Sequence, residues 1–365
     1  MNKSVAIIGT RGYPSYYGGF ETAVRRLAPY LVDHGWDVTV YGRPGATKDD
    51  DPDLDPRINR VETRGIETKA VSTLSYGLTA TMHSLVHKPD VALVMNVANG
   101  YFLPLFRLRK IPSLVNVDGI EWDRAKWGAV AKTVFRGGAR FTAKFASELV
   151  CDARAISERW KSQFGREGIF IPYGGDPAEQ LPIEPGLKHR EYVLIVARFV
   201  PENTVPEFLE AARMIASTHK IVIVGSSGYG GELDMAAKAL DAENANIVWL
   251  GHMNDDQRLH SLWQHCGAYF HGHSVGGTNP ALVQAMALGA PTVARDTVYN
   301  REVLSDSAVF VNPTPEGIAQ GVELLMSDPV LQEKLSVDVK ARAELEYTWE
   351  LVCSRYLDRL ERLSL

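Results

Sequence analysis

Short, unbroken apolar runs recur along this chain between stretches with helical spacing. They fall at 5–8, 38–41, 91–95, 113–117, 149–151 and 169–171, and again at 193–196, 221–224, 247–250, 268–270, 292–294 and 309–311. None alternates polar with apolar residues. Each therefore predicts a strand covered on both faces, the condition of a parallel sheet. Helical patterns stand between most of them. Residues 21–34 place Ala23, Leu27, Tyr30 and Leu31 at helix spacing, and 206–216, 255–266, 279–288 and 314–326 behave alike. Alternating strands and helices predict α/β architecture with right-handed crossovers.

A length of 365 residues suits two such domains. Pro172-Tyr173-Gly174-Gly175, followed by Pro177, Pro182 and Pro185, is loop chemistry at mid-chain. The boundary is thus expected near 174/175, with 1–174 and 175–348 as two Rossmann-like domains. Residues 349–363 form an amphipathic helical pattern with Leu351, Val352, Tyr356, Leu360 and Leu363 apolar. The net charge of −5 argues against bulk nucleic-acid binding. Cys151, Cys266 and Cys353 lie too far apart for a metal or redox motif, and an odd count fits a reducing compartment. The N-terminal apolar run is too short for a signal peptide or a membrane span, so a cytoplasmic protein is expected. The acidic segment 49–55 reads as a solvated loop, and no metal site is expected.

Two strand-to-helix turns carry the functional signal. The run 268–270 leads into His271-Gly272-His273-Ser274-Val275-Gly276-Gly277-Thr278-Asn279-Pro280, which opens a helix. Small residues there leave main-chain N–H groups available beside the positive helix end, a setting for a phosphorylated ligand. A similar turn runs from Gly9 through Arg11 to Gly18-Gly19, again before a helix.

These fragments carry a resemblance. The openings Gly9-Thr10-Arg11-Gly12-Tyr13-Pro14 and Tyr17-Gly18-Gly19-Phe20-Glu21-Thr22, the run from Val117-Asp118-Gly119-Ile120-Glu121-Trp122 to Trp127, and Ile171-Pro172-Tyr173-Gly174 stand in order with Arg198-Phe199-Val200-Pro201-Glu202-Asn203 and Gly276-Gly277-Thr278-Asn279-Pro280. Over essentially its whole length the chain resembles GT-B glycosyltransferases, within them the retaining family-four enzymes and their rhamnosyltransferase-like subgroup. The resemblance implies two Rossmann-like domains facing a central cleft, with the last helix crossing back to the first domain. It implies a nucleotide sugar, dTDP- or UDP-linked, held by the second domain and an acceptor held by the first. It implies no cofactor and no metal.

On that resemblance Arg198 meets the diphosphate, and its planar fork suits two phosphate oxygens. Asn203 stands where the wider family has a lysine. Gly276 and Gln284 stand where that family has a pair of glutamates touching sugar and ribose. Donor contacts are then expected from Gly276, Gly277, Thr278 and Asn279, with Gln284 toward the ribose. His271 and His273 sit beside this turn, where either suits donating to the sugar or a phosphate, His273 being the one expected at the donor. By the resemblance His252 and Met253 lie where the base is contacted. Arg11, Gly18 and Gly19 are expected near the donor from the first domain. Asp118 and Glu121 follow a strand, where carboxylates reach a ligand crevice, and either suits orienting or deprotonating an acceptor hydroxyl, Asp118 the better because it is closer to the strand end.

From 107 to 144 nine basic residues stand against three acidic ones. Lys132, Arg136, Arg140 and Lys144 recur every fourth residue, so they share one helix face if the helix survives Gly137-Gly138. That face is an expected patch for anionic membrane or for a polyprenyl-diphosphate-linked acceptor. The reading is a glycosyltransferase moving a hexose, L-rhamnose from a dTDP donor by subgroup, onto a saccharide. The alternative is a non-catalytic nucleotide-sugar-binding protein, suggested by Gly276 and Gln284. A nicotinamide-dependent oxidoreductase fits poorly, because the first turn lacks Gly-x-Gly-x-x-Gly.

Overall fold

A computed structural model describes residues 2–16, 18–67, 72–124 and 127–365. Tyr17, Ala125 and Lys126, which belong to the motifs above, lie outside the described residues. The chain divides into two compact units, Met1–Tyr173 with Trp349–Leu365, and Gly174–Thr348.

The first unit runs β1 (Ser4–Ile8), α1 (Gly19–Asp33), β2 (Asp37–Gly42), β3 (Asn59–Glu62), α2 (Ser72–His87), β4 (Val91–Met95), α3 (Leu103–Leu108), β5 (Ser113–Asn116), α4 (Ala129–Phe145), β6 (Glu148–Cys151), α5 (Arg154–Phe164) and β7 (Ile169–Phe170). Its seven strands lie in the order β3-β2-β1-β4-β5-β6-β7 and pair parallel throughout. The central strands β4 and β5 are buried at every residue; β4 is accordingly apolar throughout, while β5 keeps a buried Ser113 and Asn116 at its ends. Strand β3 was not expected. Its sequence Asn-Arg-Val-Glu is mostly exposed at the sheet edge, so it carries no apolar run. Helix α4 continues through Gly137-Gly138, contrary to the weakening expected there. A Cβ on Gly138 would strike the Val97 carbonyl, and one on Gly137 would strike the Tyr101 hydroxyl, so these glycines serve close packing.

The second unit runs β8 (Tyr192–Val196), α6 (Val205–Ile215), β9 (Lys220–Val224), α7 (Glu232–Glu243), β10 (Ile247–Gly251), α8 (Asp256–His265), β11 (Ala268–His271), α9 (Pro280–Ala287), β12 (Thr292–Arg295), α10 (Val298–Leu304), β13 (Val309–Val311), α11 (Pro315–Met326) and α12 (Pro329–Glu346). Its six strands lie in the order β10-β9-β8-β11-β12-β13, all parallel. Val193, Ile195, Ile221, Ile223, Phe208, Phe270 and Val293 form the centre of its core, each about 1.5–3 kcal/mol of burial.

After this unit the chain returns to the first through α13 (Trp349–Leu363). Val352, Cys353, Tyr356 and Leu360 are its buried stripe. Tyr356 Oη accepts from Asn116 Nδ2 at 2.7 Å, and Tyr30 Oη donates to Glu350 at 3.0 Å. Among the described residues no helix is long and apolar enough to cross a membrane.

Candidate active site

In an open parallel sheet, ligands settle beyond the carboxyl ends of the strands where the strand order reverses. In the second unit that reversal lies between β8 and β11. The pairing of Phe270 with Ile195 brings the loops after both strands side by side. The loop after β8 carries Arg198 and Asn203, and the loop after β11 is the turn 271–279.

The two loops are fastened together by polar contacts. The backbone N–H and the hydroxyl of Ser274 both donate to the Glu202 carbonyl at 2.9 Å. Asn203 Nδ2 donates to the Arg198 carbonyl at 2.8 Å, and Asn203 Oδ1 stands 2.7 Å from His273 Nδ1. A Cβ on Gly272 would sit 2.8 Å from Cβ of Thr204, so glycine is required for this approach. Thr204 itself holds φ +55°, a costly conformation for a β-branched residue. Its hydroxyl donates to the Gly272 carbonyl at 2.6 Å.

Within this frame Arg198 is exposed, and among the described residues its guanidinium makes no ion pair. Gly276 has φ +99°, which only glycine adopts without strain, and it is buried. A side chain is therefore excluded there by backbone shape, not merely absent. Gly277 is half-buried and Thr278 buried. Asn279 is the N-cap of α9, its side chain accepting from Ala281 N at 2.9 Å, and Pro280 follows at the first helical position. Gln284 Oε1 accepts from Asp176 N at 3.0 Å, and its Nε2 donates to the Asp176 carbonyl at 2.8 Å. The amide thus clamps the main chain at Asp176, near the start of its own unit, a partner that the sequence did not reveal. His252 is exposed and Met253 half-buried just after β10.

His271 is buried, and burial, with the nearby His273 second, pushes its pKa down to about 3. Tyr269 Oη lies 3.1 Å from its Nδ1, and its Nε2 has no hydrogen-bond partner among the described residues. Sequence reasoning missed Arg295 at the end of β12. Its Nη1 donates to the Thr204 hydroxyl at 3.0 Å, and Asn300 Nδ2 reaches the carbonyls of both Arg295 (2.8 Å) and His273 (3.0 Å). An arginine closing a short apolar strand was the only signal.

In the first unit the reversal lies between β1 and β4. The backbone N–H of Arg11 donates to Glu21 Oε1 at 3.2 Å, and Gly18 precedes α1 in extended backbone. Gly19 permits Tyr173 to approach: a Cβ there would sit 3.0 Å from its hydroxyl. Burial raises the Tyr173 pKa well above the ordinary value, and the charges of Asp118, Asp152, Tyr356 and Glu21 add to it. Asp152 and Glu21 are buried acids that the sequence reading did not single out.

The two candidate carboxylates part ways. Glu121 is buried, ion-paired to Arg124 Nε at 2.7 Å and accepting from Trp127 Nε1 at 2.7 Å. Asp118 is 22% exposed, with Arg124 Nη2 at a looser 3.6 Å. It holds φ +57°, and its N–H donates to Asn116 Oδ1 at 2.9 Å. Asp118 caps no helix, since the helical turn Glu121–Asp123 starts from Ile120 and α4 from Gly128. Trp122 packs edge-on against Trp160 and Phe164 in the core. On α4, Arg136, Arg140 and Lys144 are exposed and Lys132 is half-buried. The acidic loop is partly organised by Tyr16, whose single hydroxyl proton is shared between Asp51 Oδ1 at 2.8 Å and Asp53 Oδ2 at 3.1 Å. Among the described residues no group of three or more His, Cys, Asp or Glu gathers as metal ligands would.

Residues 179–343 match the family described as Glycosyl transferases group 1, and residues 2–176 match the Domain of unknown function (DUF1972). The phosphatidyl-myo-inositol mannosyltransferase of Mycobacterium leprae (strain TN) is 27% identical over 223 residues, 57% of this chain and 58% of that protein. The match therefore spans little more than half the length of that relative. Among solved structures, sucrose-phosphate synthase from Thermosynechococcus elongatus is similar at a TM-score of 0.82 and 15% identity, covering 99% of each chain. HepE of Anabaena in complex with UDP is similar at a TM-score of 0.75 and 15% identity, covering 99% of this chain and 100% of that one.

Proposed function

We propose that this chain, whose residues 179–343 match the group 1 glycosyl transferases and whose two Rossmann-like units have the GT-B fold, moves a hexosyl group from a nucleoside-diphosphate sugar to a saccharide acceptor. One observation carries the reading. The exposed guanidinium of Arg198, without an ion pair among the described residues, lies on a loop fastened to a glycine turn that opens α9, at the point where the strand order reverses. A fixed cation beside main-chain N–H groups at a helix start suits a diphosphate. HepE, similar in fold, is described with UDP bound.

In the proposed reaction the bond from C1 of the sugar to the diphosphate oxygen breaks. The acceptor oxygen bonds C1, and its proton passes to a leaving phosphate oxygen. Arg198 and the amides of Gly277, Thr278 and Asn279 balance the charge that grows on the diphosphate. This front-face route gives retention and requires no metal. Asp118 orients the acceptor hydroxyl, because Glu121 is already committed to Arg124 and Trp127. The donor proposed is dTDP-rhamnose or a UDP-linked hexose, and the acceptor a saccharide, lipid-linked in polysaccharide assembly. The basic residues of α4 would meet anionic membrane at its inner face.

A panel of nucleotides in a thermal-shift assay tests the reading. Stabilisation by dTDP or UDP, and none by NAD, is expected. A shift with NAD alone overturns it. A second reading, a binding protein without turnover, is favoured by Gly276 lacking a side chain and by Gln284 being engaged with Asp176. Donor consumption measured with and without a saccharide acceptor separates the two.

A further inference from the structure

The loop after β8 carries one cation, Arg198, and an asparagine at 203. A nucleoside diphosphate brings more negative charge than one guanidinium balances. The geometry points to Arg295, at the end of β12, as the second cation of this anion site, reading the terminal phosphate of a nucleoside diphosphate. The inference rests on the nucleotide-sugar reading above and names a further residue for it.

Register sets the position. His271 pairs with Ala294, so Arg295 emerges beside Gly272 at the start of the glycine turn. Asn300, buried, ties the carbonyl of Arg295 to that of His273. Arg295 is half-buried, and among the described residues its guanidinium makes one hydrogen bond, to a neutral hydroxyl, Thr204 Oγ1 at 3.0 Å. Among the described residues no carboxylate pairs with it. The neighbouring acid Asp296 is held instead by a two-pronged pair with Arg301, at 2.5 and 2.7 Å. A half-enclosed guanidinium with no acid counter-ion has four N–H groups left for a phosphate, the anion its planar fork fits best.

The loop is shaped around this contact. Thr204 keeps φ +55° although it is β-branched, and its hydroxyl stands between the Gly272 carbonyl, to which it donates, and Arg295, from which it accepts. Thr204 also begins α6 and follows Asn203 directly. Arg295 thus lies one hydrogen bond from the loop that bears Arg198, yet comes from a strand two places across the sheet and four strands later in the chain.

Affinities of dTDP and dTMP, and of UDP and UMP, measured by calorimetry on the full chain, test this. Wild type is expected to bind the diphosphates more tightly than the monophosphates. Arg295→Gln is expected to weaken diphosphate binding about tenfold or more while leaving monophosphate binding within about twofold, so that the ratio collapses. Arg295→Lys should recover part of the ratio, and Thr204→Val, which removes only the tether, should lose a few-fold in the same direction. Arg295→Met, which keeps the stem, replaces the glutamine variant if that one does not fold. An unchanged ratio, or equal losses for both ligands, overturns the inference and leaves the nucleotide reading standing. A wild type that binds neither dTDP nor UDP overturns both.

Discussion

Asn203 Oδ1 lies 2.7 Å from Nδ1 of His273, while Nδ2 of the same amide donates to the Arg198 carbonyl at 2.8 Å. A carbonyl only accepts, so the second bond fixes which way the amide points, and Nδ1 of His273 must then carry a proton. The asparagine thereby sets the imidazole tautomer and fastens the Arg198 loop to the glycine turn with one side chain. Where the wider family has a lysine, this chain needs an acceptor.

Restoring that lysine should therefore impair the protein. Asn203→Lys leaves the His273 N–H without its acceptor and places a cation against a donor. Each lost hydrogen bond at a partly buried site costs about 1–3 kcal/mol. We expect dTDP or UDP affinity to fall roughly tenfold in Asn203→Lys and in Asn203→Ala alike, by calorimetry. Tighter binding in the lysine variant would show that charge outweighs the hydrogen-bond pattern.

Stability should fall in acid partly through His271. Burial holds its pKa near 3, while the unfolded ring titrates near the ordinary 6.5. Between these values the unfolded chain holds one more proton than the folded one at this site. Stability therefore drops as pH falls through the window, by up to about 1.4 kcal/mol per unit, and the contribution is fully present above 6.5. His271→Phe removes that titration. Chemical denaturation from pH 6.5 to 4 should give the variant a shallower slope than wild type; coincident slopes would refute the assignment.

The strands were legible because both faces of each sheet are covered, leaving apolar runs with no alternation. Edge strand β3, with Val61 its one apolar residue, had no such mark. The glycine turn before α9 was visible from its small residues. Its fastening was not, because Asn203 meets His273 and Thr204 meets Arg295 across 70 and 91 residues. Those encounters depend on the register of β8, β11 and β12, which local sequence does not encode. In the sequence Asp118 stood ahead of Glu121 only by its nearness to the strand end; Arg124 and Trp127, close in chain but placed by folding, separate them physically.

Gly276 is expected to reject any side chain. Its φ of +99° costs an L-residue about 1–3 kcal/mol. Gly276→Ala should lower the melting temperature by a few degrees and reduce nucleotide-diphosphate affinity, because the turn that presents the amides is re-formed. A variant with unchanged melting and binding would mean that the turn relaxes freely.

The contact of α13 with the first unit reaches Asp118 through one residue. Asn116 Nδ2 donates to Tyr356 Oη, while Asn116 Oδ1 accepts from the Asp118 N–H. Tyr356→Phe strands a buried amide donor, a loss of about 1–3 kcal/mol. We expect lower stability together with slower transfer at unchanged donor affinity. A loss of donor affinity instead would place the effect outside the Asp118 loop.

The exposed face of α4 gives the last expectation. Arg136, Arg140 and Lys144 are exposed, with Phe141 39% and Val130 80% exposed on the same helix. The protein as a whole is acidic, with a net charge of −5, so this cluster runs against the overall charge. Near an anionic surface each basic residue contributes about 1 kcal/mol, and the attraction is screened within about 10 Å at 0.1 M salt. Sedimentation with vesicles containing phosphatidylglycerol should retain the wild type at low salt and release it at high salt. Replacing all three cations by glutamate should cut partitioning by at least an order of magnitude. Equal binding of wild type and variant to these vesicles, or undiminished binding to neutral phosphatidylcholine, would locate the membrane contact elsewhere.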